Sequence, residues 1–149
     1  MEEFVIGKLS VTDISEVISL GLQTEEFQTG TDSAQFTSKE TLEGWINDDN
    51  GVTLAAKVAD ELVGYVLGYY LQGPNDGYLN FLIVKQEYRG LGVGSNLLEK
   101  AIDEFKNKSG GRCDHIFSLV KPDNEATLRL FEKYGFQIGE TFNYVEKMI

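Results

Sequence analysis

Apolar and polar positions change period several times along the chain, and the changes divide it into elements. "FVIGKL" is a short apolar run and predicts a first strand. Ile14, Val17 and Ile18 then repeat at helical spacing. Asp13 stands at the cap position with Glu16 three residues on, the order of a capping box. "QTEEFQTGTDSAQF" follows without clear period. Thr37 and Glu40 form a second box-like pair ahead of Leu42, Trp45 and Ile46, a short helix. "GVTLAAKVAD" and "ELVGYVLGYYLQ" read as two apolar strands that turn near Asp60 and Glu61 and pair antiparallel. "GPNDG" is a turn. "YLNFLIV" is a strand with little alternation, so burial on both faces is expected.

From about Gly94 to Lys108 the pattern is helical again. Leu97, Leu98, Ala101, Ile102 and Phe105 fall on one arc, with Glu99, Lys100, Asp103 and Lys106 outside it. Gly110 and Gly111 end that helix. "DHIFSLV" is a further strand, "NEATLRLFEKY" a further helix, and "FQIG" with "FNYVEKMI" a last strand pair. The order β-α-α-β-β-β-α-β-α-β-β predicts an α/β (α+β) sheet with helices packed on its faces. No repeat or linker divides the 149 residues, so a single domain, 1–149, is expected.

Composition narrows the function. A hydrophobic fraction of 42% is globular, and a formal net charge of -11 argues against nucleic acid and against an anionic membrane surface. The same charge favours cationic partners. Cys113 and His115 are the only cysteine and histidine, which excludes an internal disulfide and leaves no Cys/His metal site. "MEEFVIGKL" lacks a basic start before an apolar run, and no stretch reaches the length of a membrane span, so a soluble, cytoplasmic protein without metal is expected.

The segment richest in chemistry is "VKQEYRGLGVGSNLLEK". A strand runs into Arg89-Gly90-Leu91-Gly92-Val93-Gly94 and then into an amphipathic helix. Glycines let the backbone turn and approach a ligand closely, and the free N–H groups of the helix's first turn favour an anion. The glycine spacing does not fit the dinucleotide fingerprint, and no Lys-Ser/Thr pair makes it a nucleotide-triphosphate loop.

Together with "VKPDNEATLRLFEKYGF", this segment resembles the two cofactor motifs of the GNAT N-acetyltransferase superfamily. Arg89, Gly92 and Gly94 fill the acetyl-CoA loop pattern, and the element order is similar over essentially the whole chain. The resemblance implies a mixed, mostly antiparallel sheet of about six to seven strands with about four helices. It implies an acetyl-CoA-dependent enzyme that moves an acetyl group directly to a primary amine, without a covalent enzyme intermediate. The strand carrying Leu82, Ile83 and Val84 is expected to splay from the strand carrying Ser118 to Val120. The pantetheine arm would lie in that gap, and the pyrophosphate on Arg89, Gly90, Leu91, Gly92, Val93, Gly94 and Ser95. Asn124 matches an asparagine that contacts the arm, although a helix-start residue near cap Asp123 reads the same way. A second reading is an acyl-CoA-binding module with weak transfer, acting as sensor or partner subunit.

The chain departs from the family at the proton-transfer groups. The family's usual tyrosine acid falls on Phe131, which lies roughly 20° around the helix from Asn124 and is expected to wall the cofactor cleft, whereas Tyr134 lies about 80° away. Tyr134 is expected to pack its ring on the sheet. The usual base positions hold Asn80 and Leu119. Asn80, which orients a water but is no base, and Tyr144 are the candidate catalytic residues, with Tyr70 and Tyr78 as further tyrosines. Cys113 and His115 share a strand face but stand far from the glycine loop. Lys85, Lys121, Arg129 and Lys133 are candidate partners for a 3′-phosphate. Phe27, Phe36 and Trp45 would line the acceptor side, where a small-molecule or peptide amine, cationic by preference, is expected. Monomer and homodimer both stay open.

Overall fold

The computed structural model describes residues 3–24, 36–147 and 149. The order is β1 (Val5–Lys8), α1 (Ile14–Leu22), α2 (Lys39–Asn47), β2 (Gly51–Val58), β3 (Glu61–Leu71), β4 (Asp76–Val84), α3 (Val93–Lys106), β5 (His115–Phe117) and α4 (Glu125–Lys133). The strands form one sheet in sequence order. β1 to β4 pair antiparallel, β2 to β4 across short turns and β1 to β2 across the segment that holds α1 and α2, and β5 joins β4 in parallel after the α3 crossover. The β2–β3 turn uses Ala59 and Asp60 at positive φ. Among the described residues no helix is long and apolar enough to cross a membrane.

Each face of the sheet carries its own core. Leu9, Ile14, Val17, Leu42, Ile46, Tyr65 and Leu67 pack on the α1 and α2 side. Val52, Leu54, Val66, Tyr70, Leu97, Leu98, Ala101 and Phe105 pack on the α3 and α4 side. The central strands are therefore apolar on both faces, which explains their weak alternation. Gly68 and Gly77 make room for the Phe105 ring: a Cβ on either would lie 2.8 or 2.7 Å from it.

Local signals differ from the sequence reading in three places. The first capping box is Ser10 with Asp13, not Asp13 with Glu16. The Ser10 hydroxyl accepts from the Thr12 N–H, and the Asp13 carboxylate accepts from the Ser10 N–H at 2.9 Å. Asp13 is buried and also meets Lys57 at 2.8 Å, so its carboxylate ties the start of α1 to β2 rather than capping one turn later. The second helix is capped by Ser38, which accepts from the Thr41 N–H at 3.2 Å. The expected last strand pair does not form, so the sheet has five strands among the described residues rather than six to seven. Residues 137–147 contain no strand, and Ile138, Phe142 and Val145 are exposed. β5 is only three residues long, and an edge that short offers little backbone to recruit further strands.

Candidate functional site: a fork in the sheet facing a helix N-terminus

The β4–β5 ladder is brief. It pairs Asp76 with His115, Gly77 with Ile116 and Tyr78 with Phe117, then stops. β4 continues to Val84 without a β5 partner. Two features sit at the fork. Asn80 is an extra residue in β4, because Gly68 pairs with Leu79 and Leu67 with Phe81; such a bulge bends its strand and increases its twist. The Ser118 hydroxyl donates to the Leu79 carbonyl at 2.7 Å, at the step where a further ladder pair would have formed. The strand edge from Asn80 to Val84 thus borders a gap in the ladder.

β4 leads from this gap to the glycine loop. Arg89 donates from Nε to the Val84 carbonyl at 2.9 Å, which fastens the loop to the strand end. Gly90 has φ 76° and Gly92 φ 88°, both in the left-handed region that glycine enters without penalty. Gly92 is the N-cap of α3 and brings no side-chain cap. The first helical bond runs from the Asn96 N–H to the Gly92 carbonyl at 3.0 Å, so the N–H groups of Val93, Gly94 and Ser95 have no partner within the helix. Leu91 is exposed and Val93 is buried in the core. The first turns of α1, α2 and α4 each hold an acidic residue, Glu16, Glu40 and Glu125, while that of α3 holds none. The positive end of α3 is therefore left for an anion from outside the helix.

Gly94 closes the arrangement. A Cβ there would sit 3.6 Å from Val84 of β4 and 3.6 Å from Leu130 of α4, so the loop, the strand end and α4 meet around this residue. At the start of α4, Asn124 itself is the N-cap, not Asp123. Its side-chain oxygen accepts from the Thr127 N–H at 3.3 Å, and its NH₂ group remains as a donor. A glycine cradle open enough for a diphosphate, a bare helix N-terminus and an unpaired strand edge fit the phosphates and amide arm of a CoA molecule.

The aromatic residues of α4 both meet the core on the α3 side. Phe131 is 5% exposed and packs edge-on against Phe136, with ring centroids 4.7 Å apart. It is part of the core wall on the α3 side. Tyr134 is half-buried at the helix end, with the Lys133 ammonium 5.9 Å from its ring centroid. It is the C-cap of α4, and its ring packs against the core, as the helical count predicts.

The remaining candidates are spread out. Asn80 stands at the fork, half-buried. Tyr144 is exposed and its hydroxyl donates to Glu146, 3.4 Å away, so no described bond joins it to the gap. Tyr70 is buried with its hydroxyl on the Asn75 side-chain oxygen. Tyr78 stacks on Phe117, and burial holds its hydroxyl above the ordinary tyrosine range. Cys113 is buried, which pushes its thiol up, while His115 turns outward to Asp76 at 3.0 Å; the two side chains do not form a catalytic pair. Lys85 and Arg129 are engaged with Glu61 and Glu125. Phe36 and Phe81 meet at 4.8 Å beside the bulge, and Trp45 lies against Tyr69; Phe27 falls outside the described residues. Ser118 went unremarked as a side chain in the sequence, where a lone hydroxyl between apolar residues gives no signal of a cross-strand bond.

Comparison with known proteins agrees with this geometry. The acetyltransferase (GNAT) family profile matches residues 20–136. An acetyltransferase of Sodalis glossinidius is 31% identical over 100 residues, 67% of each chain. An acetyltransferase of Pectobacterium atrosepticum is 29% identical over 108 residues, 72% of this chain and 73% of its own. Among solved structures, a GNAT-family acetyltransferase of Streptococcus pneumoniae superposes with a TM-score of 0.76 at 26% identity, covering 92% of this chain and 86% of that one.

Proposed function

Because the chain belongs to the GNAT acetyltransferase family, we propose that it is a cytoplasmic enzyme that transfers an acetyl group from acetyl-CoA directly to a primary amine. The observation that carries this reading is the alignment of the β4 gap with the bare N-terminus of α3. The N–H groups of Val93, Gly94 and Ser95, with Arg89 beside them, hold the diphosphate. The strand edge at Leu82, Ile83 and Val84 pairs with the amide arm, and the Asn124 NH₂ group donates to it from the other side. Bound acetyl-CoA supplies the activated acyl group as a thioester.

What this chain's own residues add is placement. Holding the thioester and an amine in one cleft removes much of the entropic barrier to their reaction. Backbone N–H groups along the unpaired edge of β4 are fixed donors for the carbonyl oxygen. Asn80, at the fork, orients a water that takes the amine's proton, since an amide cannot be the base. Phe36 and Phe81 form the aromatic wall of the acceptor side. The acidic chain favours a cationic acceptor: a polyamine, an aminosugar or a basic peptide end.

The test is thiol release from acetyl-CoA across a panel of such amines. At least one should raise the rate well above the buffer control. A flat panel from a chain that binds CoA tightly would refute transfer.

A further inference from the structure

Ser118 occupies the point where β4 and β5 part. The last ladder pair is Tyr78 with Phe117, and the next residue on each strand is Leu79 and Ser118. In a continued parallel ladder the Leu79 carbonyl would accept from a backbone N–H of the opposite strand, that of Leu119. Instead the serine side chain reaches the Leu79 carbonyl at 2.7 Å. The neighbours Ile116, Phe117, Leu119 and Val120 are all apolar, and a β-branched apolar residue in place of serine would extend the strand equally well. A serine at this one position changes which group satisfies the carbonyl.

We propose that Ser118 is a positioning residue that sets the floor of the cofactor gap. The assignment rests on the reading that the gap takes acetyl-CoA. An amide arm lying along β4 pairs with whatever backbone groups are free. With the Leu79 carbonyl already held, the deepest free groups are those beyond the bulge at Asn80. The arm then has one register, and the thioester stops at one depth. Without the hydroxyl the ladder zips one pair further and narrows the gap, and the arm must reopen that pair to reach its register. Ser118 acts through the strands and the arm and takes no part in bond making.

The experiment compares the parent chain with Ser118→Ala and Ser118→Thr by calorimetric titration with CoA, alongside thermal unfolding. Ser118→Ala should weaken CoA binding by about tenfold, the cost of reopening one added backbone hydrogen bond of about 1.4 kcal/mol. Ser118→Thr keeps the hydroxyl and should bind within about twofold of the parent; this rescue separates positioning from a general loss of packing. If Ser118→Ala does not fold, Ser118→Cys, similar in size with a weak donor, is held to the same expectation. Equal CoA affinity in the parent and in Ser118→Ala overturns the role of Ser118 alone. A parent that fails to bind CoA removes the cofactor reading, and this role with it.

Discussion

Gly92→Ala tests the glycine loop with a single methyl group. Space is not the obstacle: the new Cβ would find only the Asn96 side-chain nitrogen, at 3.6 Å. The obstacle is conformation, because Gly92 sits at φ 88° and ψ 0°. An L-residue there costs about 1–2 kcal/mol. The smaller entropy of the unfolded chain returns about 0.4–1 kcal/mol to stability. The variant can carry the strain in two ways. It keeps the loop and loses stability, or it relaxes the loop and must restore it whenever a ligand binds. In the second case the N–H groups of Val93 to Ser95 no longer converge in the free protein, and the strain appears as lost affinity. Strain of 1–2 kcal/mol limits that loss to about 5–30-fold. Urea unfolding and calorimetric titration with CoA measure the two losses on the same protein. Both unchanged would refute the idea that the left-handed N-cap matters. An affinity loss beyond about a hundredfold at unchanged stability would also refute it, since loop strain cannot supply that much.

Two further outcomes follow from the same structure. Phe131→Tyr should not supply a missing acid: its ring is buried against Phe136, so the added hydroxyl lacks water and should cost about 1–3 kcal/mol of stability without raising the transfer rate. A faster variant of unchanged stability would show that this position faces the reacting atoms. Asp48 is held below the ordinary carboxylate range first by the Tyr69 hydroxyl, 2.6 Å away, and then by the Asn50 N–H. A depressed folded value stabilises the protein above the unfolded pKa of 3.8, and that contribution is lost as pH falls through the folded value. Tyr69→Phe should move the Asp48 titration midpoint upward in a carbon-detected NMR titration; an unmoved midpoint would show that the hydroxyl is not the cause.

Strands and helices with strong periods were legible in the sequence. β2, β3 and α3 lie where apolar patterning put them, because each packs a long face on a core that demands that period. The glycine loop was legible too, since few arrangements other than a turn into a helix need three glycines at alternate positions. Features that depend on tertiary geometry were not. "DHIFSLV" reads as a seven-residue strand, yet only His115–Phe117 pair, because Ser118 gives its hydroxyl to β4. Asn80 reads as an ordinary strand position, and only the register of two strands shows the bulge. Tyr134 packs against the core, as its place on the apolar arc predicts, and Phe131 is buried in the same core. The terminal strand pair was read from composition, which carries no information about whether an edge is there to receive it.

The three-pair ladder between β4 and β5 also bears on how the molecule assembles. β2 to β4 are joined by short turns and close locally, whereas Asp76 meets His115 only across the long connection that holds α3. Closing that long loop costs more chain entropy than any hairpin in the sheet, and three pairs return little for it. The β4–β5 seam is therefore among the last contacts to form and the first to open in the native state, and its amides should exchange with solvent early. A donor molecule lying on β4, α3 and α4 would bridge the two sides of that seam. Substrate binding and the final step of folding would then draw on the same contacts, and the chain would be most open to proteolysis when its acyl donor is scarce.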